Sequence, residues 1–184
     1  MKYFILNLKL WVLGNIKKYV PILSNSIRTT TSIISINHKS GIVKKETIRY
    51  LEFNITDNEV YWLQKLNDFE HVPDVISYNK NKLTLSYAGK PLISKNLPQN
   101  WEIQIKKILD KLKEINCSHN DIKPTDLLLL NKKIMIIDFQ WATKINEKMP
   151  SGWPKSIGGK YKHPNKFDDS YSIYKSIKSI KLLD

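Results

Sequence analysis

The chain has few of the residues on which several common classes of protein depend. Of its 184 residues, one is Cys (Cys117), six are Gly and two are Arg. A single cysteine excludes a disulfide framework within the chain and fits a reducing compartment, so we expect a cytoplasmic, intracellular protein. The net charge of +13 comes almost wholly from lysines spread along the chain, so no specific nucleic-acid partner is expected.

Long uninterrupted apolar runs are also missing. The most apolar stretch, residues 3–14, is broken by Asn7 and Lys9 and is too short to span a membrane. One Lys precedes this stretch and no small-residue cleavage site follows it, so neither a transmembrane segment nor a signal peptide is expected. We expect residues 1–28 to be an N-terminal extension containing an amphipathic helix. This helix packs on the protein or, as the alternative, rests on a membrane surface through residues 1–20.

The most informative stretch is 119–143, where acids and one lysine surround two short apolar segments. Asp121, Lys123 and Asp126 come first, and Asp138 follows the second apolar segment. The segments 127–130 and 134–137 read as strands joined by the polar turn 131–133. A hairpin of this size returns the chain, so Asp138 should lie near Asp121 and Asp126.

This layout resembles the catalytic loop and metal-binding loop of the protein-kinase family, H-R-D-x-K-x-x-N followed by D-F-G. The resemblance implies an α+β, two-lobed kinase-like domain over 29–184. A small β-rich N-lobe with the hinge would cover 29–89, and a truncated, mainly helical C-lobe would cover 90–184. Lys123-Pro124 favours the serine/threonine protein-kinase version over the similar aminoglycoside and lipopolysaccharide-sugar kinases, which usually lack that lysine.

The same resemblance, with the chemistry of phosphoryl transfer, suggests a role for each polar residue. Asp121 would orient the attacking hydroxyl and accept its proton, and Lys123 would steady the charge on the transferred phosphate. Asp126 and Asp138 would hold Mg²⁺, or Mn²⁺, on the phosphates of ATP.

Three positions depart from the family pattern. Asn120 stands where many regulated kinases have Arg, so activation through a phosphorylated loop is not expected. Asp126 replaces the usual Asn and adds a charge beside Asp138, which should raise the proton affinity of both carboxylates. Gln140 replaces the usual Gly and should restrict the backbone of the metal loop.

The upstream sequence fits an N-lobe. Strands are predicted at Ser32–Asn37 and at 42–48, joined by the turn 38–41. By resemblance to V-A-I-K, Lys44 is assigned to the nucleotide phosphates, with Lys45 as the alternative. A helix is predicted at 56–66, capped by Thr56 or Asp57, in which Glu59 would pair with Lys44.

The other elements that the resemblance assigns to nucleotide binding are only partly recognisable in the sequence. Further strands are predicted at 72–78 and 83–86, followed by a hinge at 86–89. There the backbone of Ser86 and Ala88 would bind the adenine edge. No G-x-G-x-x-G is found, so the loop over the phosphates should be degenerate, at 24–31, or absent.

Downstream, 101–115 is predicted to be an amphipathic helix with an apolar stripe at Ile105, Ile108, Leu109 and Leu112. The polar stretch 144–162 would be the activation and substrate segment. Asp169, or alternatively Asp168, would accept hydrogen bonds from the catalytic-loop backbone as the resemblance implies.

Three functions are consistent with these features. The first is an ATP- and Mg²⁺-dependent kinase most like a serine/threonine protein kinase, with ATP and a protein substrate as partners. The second is a kinase of a small hydroxylated molecule or sugar-lipid, which the short C-lobe favours. The third is an inactive pseudokinase or binding module, which the missing Gly-rich loop favours.

Overall fold

The computed structural model describes residues 26–48, 54–150 and 152–182. The predicted amphipathic helix within residues 1–20 therefore lies outside the described residues. The described part is a mixed α+β structure with a five-stranded sheet and three α-helices. In this part of the chain, no helix combines the length and apolar character needed to cross a membrane.

The described residues form ten β-strands and three α-helices. The strands are β1 (Ser26–Arg28), β2 (Ser32–Asn37), β3 (Ile42–Thr47), β4 (Val75–Asn79), β5 (Lys82–Ser86), β6 (Lys90–Pro91), β7 (Cys117–Ser118), β8 (Leu127–Leu130), β9 (Lys133–Ile136) and β10 (Thr143–Lys144). The helices are α1 (Ile55–Lys65), α2 (Trp101–Glu114) and α3 (Asp169–Lys181).

The first five strands form one antiparallel sheet in the order β1-β2-β3-β5-β4. The predicted turn after β2 is present, and Asn37 caps it by accepting hydrogen bonds from the backbone of Lys39 and Ser40. Ser26–Arg28, which we assigned to the N-terminal extension, instead pairs with β2 as β1. The predicted loop at 24–31 therefore shortens to the turn 29–31, which joins β1 to β2.

Helix α1 begins one residue earlier than predicted and has a different cap. Asn54 accepts hydrogen bonds from the backbone of Thr56 and Asp57 at 3.0 and 3.3 Å. The prediction that Thr56 or Asp57 caps the helix was therefore wrong. A side-chain cap must precede the N–H groups it binds, and Asn54 occupies that place. Val60 and Leu63 lie on the buried face of the helix.

The predicted hairpin is confirmed, shifted by one residue in its second strand. Strands β8 and β9 pair in register from Leu127–Ile136 to Leu130–Lys133, and β6 joins the other edge of β8. The two turn residues, Asn131 and Lys132, both have positive φ, at 49° and 67°. Positive φ at both central positions is the geometry that matches the twist of a two-residue hairpin.

One continuous hydrophobic core joins the large sheet to the helices that follow it. Leu83 of β5, Ile136 of β9 and Ile173 of α3 belong to the same buried cluster. The predicted stripe of α2 faces this cluster: Ile105, Ile108 and Leu112 are at most 2% exposed, and Leu109 packs at its edge. The sheet and the helical part are therefore held together by shared apolar burial.

Gly89 marks the place where the chain leaves the sheet and enters the helical part. It has a φ of 103°, and a Cβ built there would lie 2.1 Å from the carbonyl oxygen of Leu129 in β8. No side chain fits in that space, so the chain can cross close to β8 only with glycine at this position.

We expect Gly89→Ala to destabilise the protein much more than Gly41→Ala. Both glycines have positive φ, so either alanine should cost about 1 kcal/mol of unfolding free energy from the backbone alone. Only the methyl group at position 89 would collide with another strand, which should raise the total there to about 3 kcal/mol. Denaturant unfolding of both variants measures the difference, and equal losses would contradict the steric account.

Candidate functional site

The ammonium group of Lys45 lies between two carboxylates from different parts of the chain. Its Nζ is 2.7 Å from Oε2 of Glu59 in α1 and 2.5 Å from Oδ1 of Asp138, which follows β9. The Lys45 and Glu59 side chains are 9% and 3% exposed, whereas that of Asp138 is 23% exposed. The pair of bonds therefore links the sheet, helix α1 and the end of the hairpin at one point.

The pKa values of Lys45, Glu59 and Asp138 depend on one another. Burial alone would lower the pKa of Lys45, but the two carboxylates outweigh burial and raise it above its usual value. Burial also acts to raise the pKa of Asp138, but the charge of Lys45 and its hydrogen bond lower it, so this carboxyl stays ionised. Burial raises the pKa of Glu59, although the charge of Lys45 partly opposes the shift.

The choice of Lys44 for this position was wrong. Side chains alternate between the two faces of a strand, and Lys45 lies on the same face as Val43, which packs against the core. Lys44 is exposed on the opposite face. Glu59 is therefore an ion-pair partner as predicted, but its partner is Lys45, the alternative that the sequence left open.

The segment 119–126 is held by hydrogen bonds to α3 and to the residue before Asp138. Asp169, at the start of α3, accepts from the backbone N–H of His119 at 2.7 Å and of Asn120 at 3.0 Å. His119 Nε2 lies 2.9 Å from the carbonyl of Ile137, just before Asp138. Asp169, and not Asp168, is therefore the carboxylate that contacts this loop, while Asp168 caps α3 through the N–H of Tyr171.

Asp121 is 6% exposed, and both of its carboxylate oxygens have partners. Oδ2 is 2.6 Å from Nζ of Lys123, and Oδ1 accepts a 2.6 Å hydrogen bond from the backbone N–H of Gly158. Each oxygen retains a second lone pair for another donor. The contact with Gly158 was not predicted, because nothing near Gly158 in the sequence indicates a partner 37 residues away.

Asp126 is directed inward, and its carboxylate accepts a hydrogen bond from the backbone N–H of Lys123 at 3.0 Å. Burial and the nearby charge of Asp138 raise the pKa of Asp126 well above its usual value, although Lys123 opposes the shift. The predicted increase in proton affinity is thus found at Asp126. At Asp138 it is not found, because Lys45 outweighs the repulsion there.

Asp126 and Asp138 are the candidate metal ligands, and both line the same cavity. Their carboxylates are hard oxygen donors, and Mg²⁺ is commonly held by one or two carboxylates, with phosphate oxygens and water completing the shell. Within the described ranges no group of three His, Cys, Asp or Glu residues is placed to hold an ion by itself. The two carboxylates suit a shared ion, completed by phosphate, better than a site made of protein alone.

The segment 138–140 is joined by hydrogen bonds to the turn between β1 and β2. The hydroxyl of Thr31 donates to Oε1 of Gln140 at 3.2 Å, and Nε2 of Gln140 lies 3.4 Å from Oδ2 of Asp138. Gln140 is 5% exposed. The backbone of Asp138 has a left-handed φ of 72°, so the bend that this loop needs occurs at the aspartate.

Two asparagines hold residues 140–143 in place through hydrogen bonds. Asn120 donates to the carbonyl of Trp141 at 2.9 Å and to the hydroxyl of Thr143 at 3.0 Å. Asn58 of α1 donates to the carbonyls of Gln140 and Ala142, at 3.1 and 2.9 Å. Asn120 therefore forms a neutral, internal connection to the segment 141–143.

These groups border one cavity of about 1070 Å³ between the large sheet and the hairpin. The acids Glu59, Asp121, Asp126 and Asp138 are among the residues that line it. Ser86 and Ala88 line it as well, although the hydroxyl of Ser86 is occupied by the backbone N–H of Asp74 at 2.8 Å. All the site residues predicted from the sequence, except Lys44, thus meet at this cavity.

No protein-family model matches this chain, and a search of curated proteins finds no match either.

We expect Asp126→Asn to stabilise the protein in the absence of ligand at neutral pH. The folded-state pKa of Asp126 is raised, so ionising it costs stability as pH rises from about 4 through the folded value. Asparagine avoids this cost and can still accept from Lys123. The gain in melting temperature should therefore disappear below about pH 4.

Asp168→Asn is the matched control, with the opposite sign. The hydrogen bond from Tyr171 and the ion pair with Lys166 lower the pKa of Asp168, so its contribution is present above about pH 4 and lost as pH falls. Parallel thermal melts from pH 3 to 8 compare the two variants. A stability gain for Asp126→Asn that does not change with pH would contradict the assigned burial cost.

Proposed function

We propose that the chain is an ATP- and Mg²⁺-dependent phosphotransferase with a two-lobed, protein-kinase-like fold, most like a serine/threonine protein kinase. The observation that carries the proposal is the buried bridge from Lys45 to Glu59 and Asp138. It combines a strand lysine, a helix glutamate and the aspartate after the hairpin, and this is the set that the resemblance to protein kinases implies.

In this proposal the sheet β1–β5 with α1 is the N-lobe, and the elements from β6 onward belong to the C-lobe. Residues 86–89 are the hinge between them. Ala88 is 5% exposed and borders the cavity. Its backbone would bind the adenine edge, so the identity of its side chain matters little.

Lys45 would bind the phosphates of ATP, held in place by Glu59. A buried lysine with two carboxylate partners stays charged, which suits it to an anionic ligand. The turn 29–31 lines the cavity next to Gln140 and would cover the phosphates in place of a Gly-rich loop.

Asp126 and Asp138 would hold Mg²⁺, which would neutralise charge on the nucleotide phosphates. Asp121 would align the acceptor hydroxyl and take its proton, and Lys123, 2.6 Å from Asp121, would steady the transferring phosphate. Positioning and charge neutralisation of this kind are what phosphoryl transfer requires.

Lys45→Met should abolish stabilisation by ATP-Mg²⁺, whereas Lys44→Met should keep it. The two residues are neighbours on one strand, but only Lys45 faces the cavity. Thermal shift at millimolar nucleotide measures the effect. The double variant Lys45→Met/Glu59→Gln separates lost binding from the cost of leaving Glu59 buried and unpaired. Loss of binding in Lys44→Met alone would refute the assignment.

Asp121→Asn should retain ATP-Mg²⁺ binding while phosphate transfer falls by about 10²-fold or more, because the proton acceptor is removed and the nucleotide contacts are kept. Asp138→Ala is the contrasting variant, which should lose Mg²⁺-dependent nucleotide binding as well. Binding by calorimetry and transfer from labelled ATP distinguish the two. Retained turnover in Asp121→Asn would remove Asp121 as the base.

A further inference from the structure

The charged groups of the cavity are arranged by depth. The segment 87–99, which begins within the proposed hinge, contributes Lys90 and Lys95 to the cavity wall, and both are exposed. This segment contains no Asp or Glu. The acids of the cavity belong to other elements, and three of them, Glu59, Asp121 and Asp126, are buried. The outer wall is therefore positive, and the acids lie inside together with their partners Lys45 and Lys123.

A second segment at the cavity has the same character. Residues 152–167 carry four lysines and no acid, and the stretch between Lys155 and Lys160 lines the cavity through Ser156, Ile157 and Gly159. Gly158, in the same stretch, donates to Asp121. Lys155 and Lys160 therefore flank the part of the chain that contacts the proposed proton acceptor.

Some of these lysines are held by their neighbours. Lys162 lies 4.0 Å from the ring centroid of Phe167, and Lys160 lies 5.4 Å from that of Tyr161. An ammonium group over an aromatic ring loses some of its freedom while keeping its charge. Such a surface is partly organised before an anion binds.

Among the described residues, four lysines of the two segments make no ion pair, in contrast to three of the four lysines of α2. On α2, Lys106 pairs with Asp110, Lys111 pairs with Glu114, and Lys107 pairs with Glu70. Within the described ranges, Lys90, Lys95, Lys155 and Lys160 take part in no ion pair. Neither segment has an acid between its lysines, so the charges of Lys90, Lys95, Lys155 and Lys160 are left for an anion at the cavity.

We propose that the acceptor is an acidic polypeptide segment, in which a Ser or Thr hydroxyl is flanked by carboxylates that contact the lysines of 87–99 and 152–167. This rests on the proposed function. Both segments border the same cavity as Asp121. An extended peptide, which advances about 3.3 Å per residue, would place carboxylates along these segments while one hydroxyl enters at Asp121.

The reaction balances without any further reactant. The acceptor oxygen forms a bond to the γ-phosphorus of ATP, and the bond from that phosphorus to the β–γ bridging oxygen breaks. The hydroxyl proton passes to Asp121, and ADP leaves with the electron pair of the broken bond.

The test compares three peptides with the same central Ser, flanked by Glu, by Gln or by Lys, together with small phosphorylated and carboxylated alcohols. Each is incubated with the full chain, Mg²⁺ and labelled ATP, and kcat/KM is measured. We expect the Glu-flanked peptide to exceed the Gln-flanked one by about tenfold at low salt, with the ratio falling as ionic strength rises.

Two charge-reversal variants, Lys90→Glu/Lys95→Glu and Lys155→Glu/Lys160→Glu, locate the effect. Each should reduce the ratio of Glu- to Gln-flanked kcat/KM at least severalfold. Lys113→Glu/Lys178→Glu is the control of equal charge change, because both lysines are exposed and lie outside the segments 87–99 and 152–167. An unchanged ratio in both variants of these segments, or an equal fall in the control, would overturn the proposal.

The remaining outcomes separate this inference from the proposed function. Equal use of the three peptides, or transfer only to the small anionic alcohols, would overturn the acidic-peptide acceptor while the kinase activity stands. Absence of stabilisation by ATP-Mg²⁺ in the unmodified chain would overturn the proposed function, and this inference with it.

Discussion

The bridge from Lys45 to Glu59 and Asp138 is the interaction on which the arrangement of the cavity depends. Its three members come from β3, from α1 and from the loop after β9, and the two carboxylates would be costly to bury without the lysine between them. Moving α1 or the loop away would leave an unpaired buried charge. The bridge therefore fixes the relative positions of the sheet, the helix and the hairpin more strictly than apolar contacts alone could.

Backbone hydrogen bonds extend this order to the rest of the site. Asp169 at the start of α3 holds the loop at His119 and Asn120, and Asn58 of α1 holds the carbonyls after Asp138. Hydrogen bonds within the protein thus hold these loops in place, and the neutral Asn120 makes some of them. If the proposed function is correct, the site is assembled without a phosphate group on the chain. The acids then lie at depth, where the metal and the proton transfer need them, and unpaired lysines lie outside.

Several features follow from local sequence because local chemistry is sufficient to produce them. The hairpin β8–β9 was predicted from two apolar tetrads around a polar turn, and its nearness to Asp121 followed from its length. The apolar stripe of α2 was predicted from helical spacing. The sequence predictions were wrong where an element depends on a partner distant in the sequence, or where the capping residue precedes the apolar spacing from which the helix was predicted. Asn54 caps α1, and the residues 26–28, which looked like part of an extension, gain strand structure only by pairing with β2.

The sequence by itself determined the order of the acids, the hairpin between them and the lysine-rich, acid-free segments, because these are properties of neighbouring residues. Only the tertiary structure decided which of two adjacent lysines enters the cavity. The direction of a strand side chain depends on which face is buried, and β3 is oriented by its pairing with β2 and β5. It also decided that Gly158 contacts Asp121 and that Gln140 contacts Thr31, since contacts between distant residues arise only when the packed core brings their elements together.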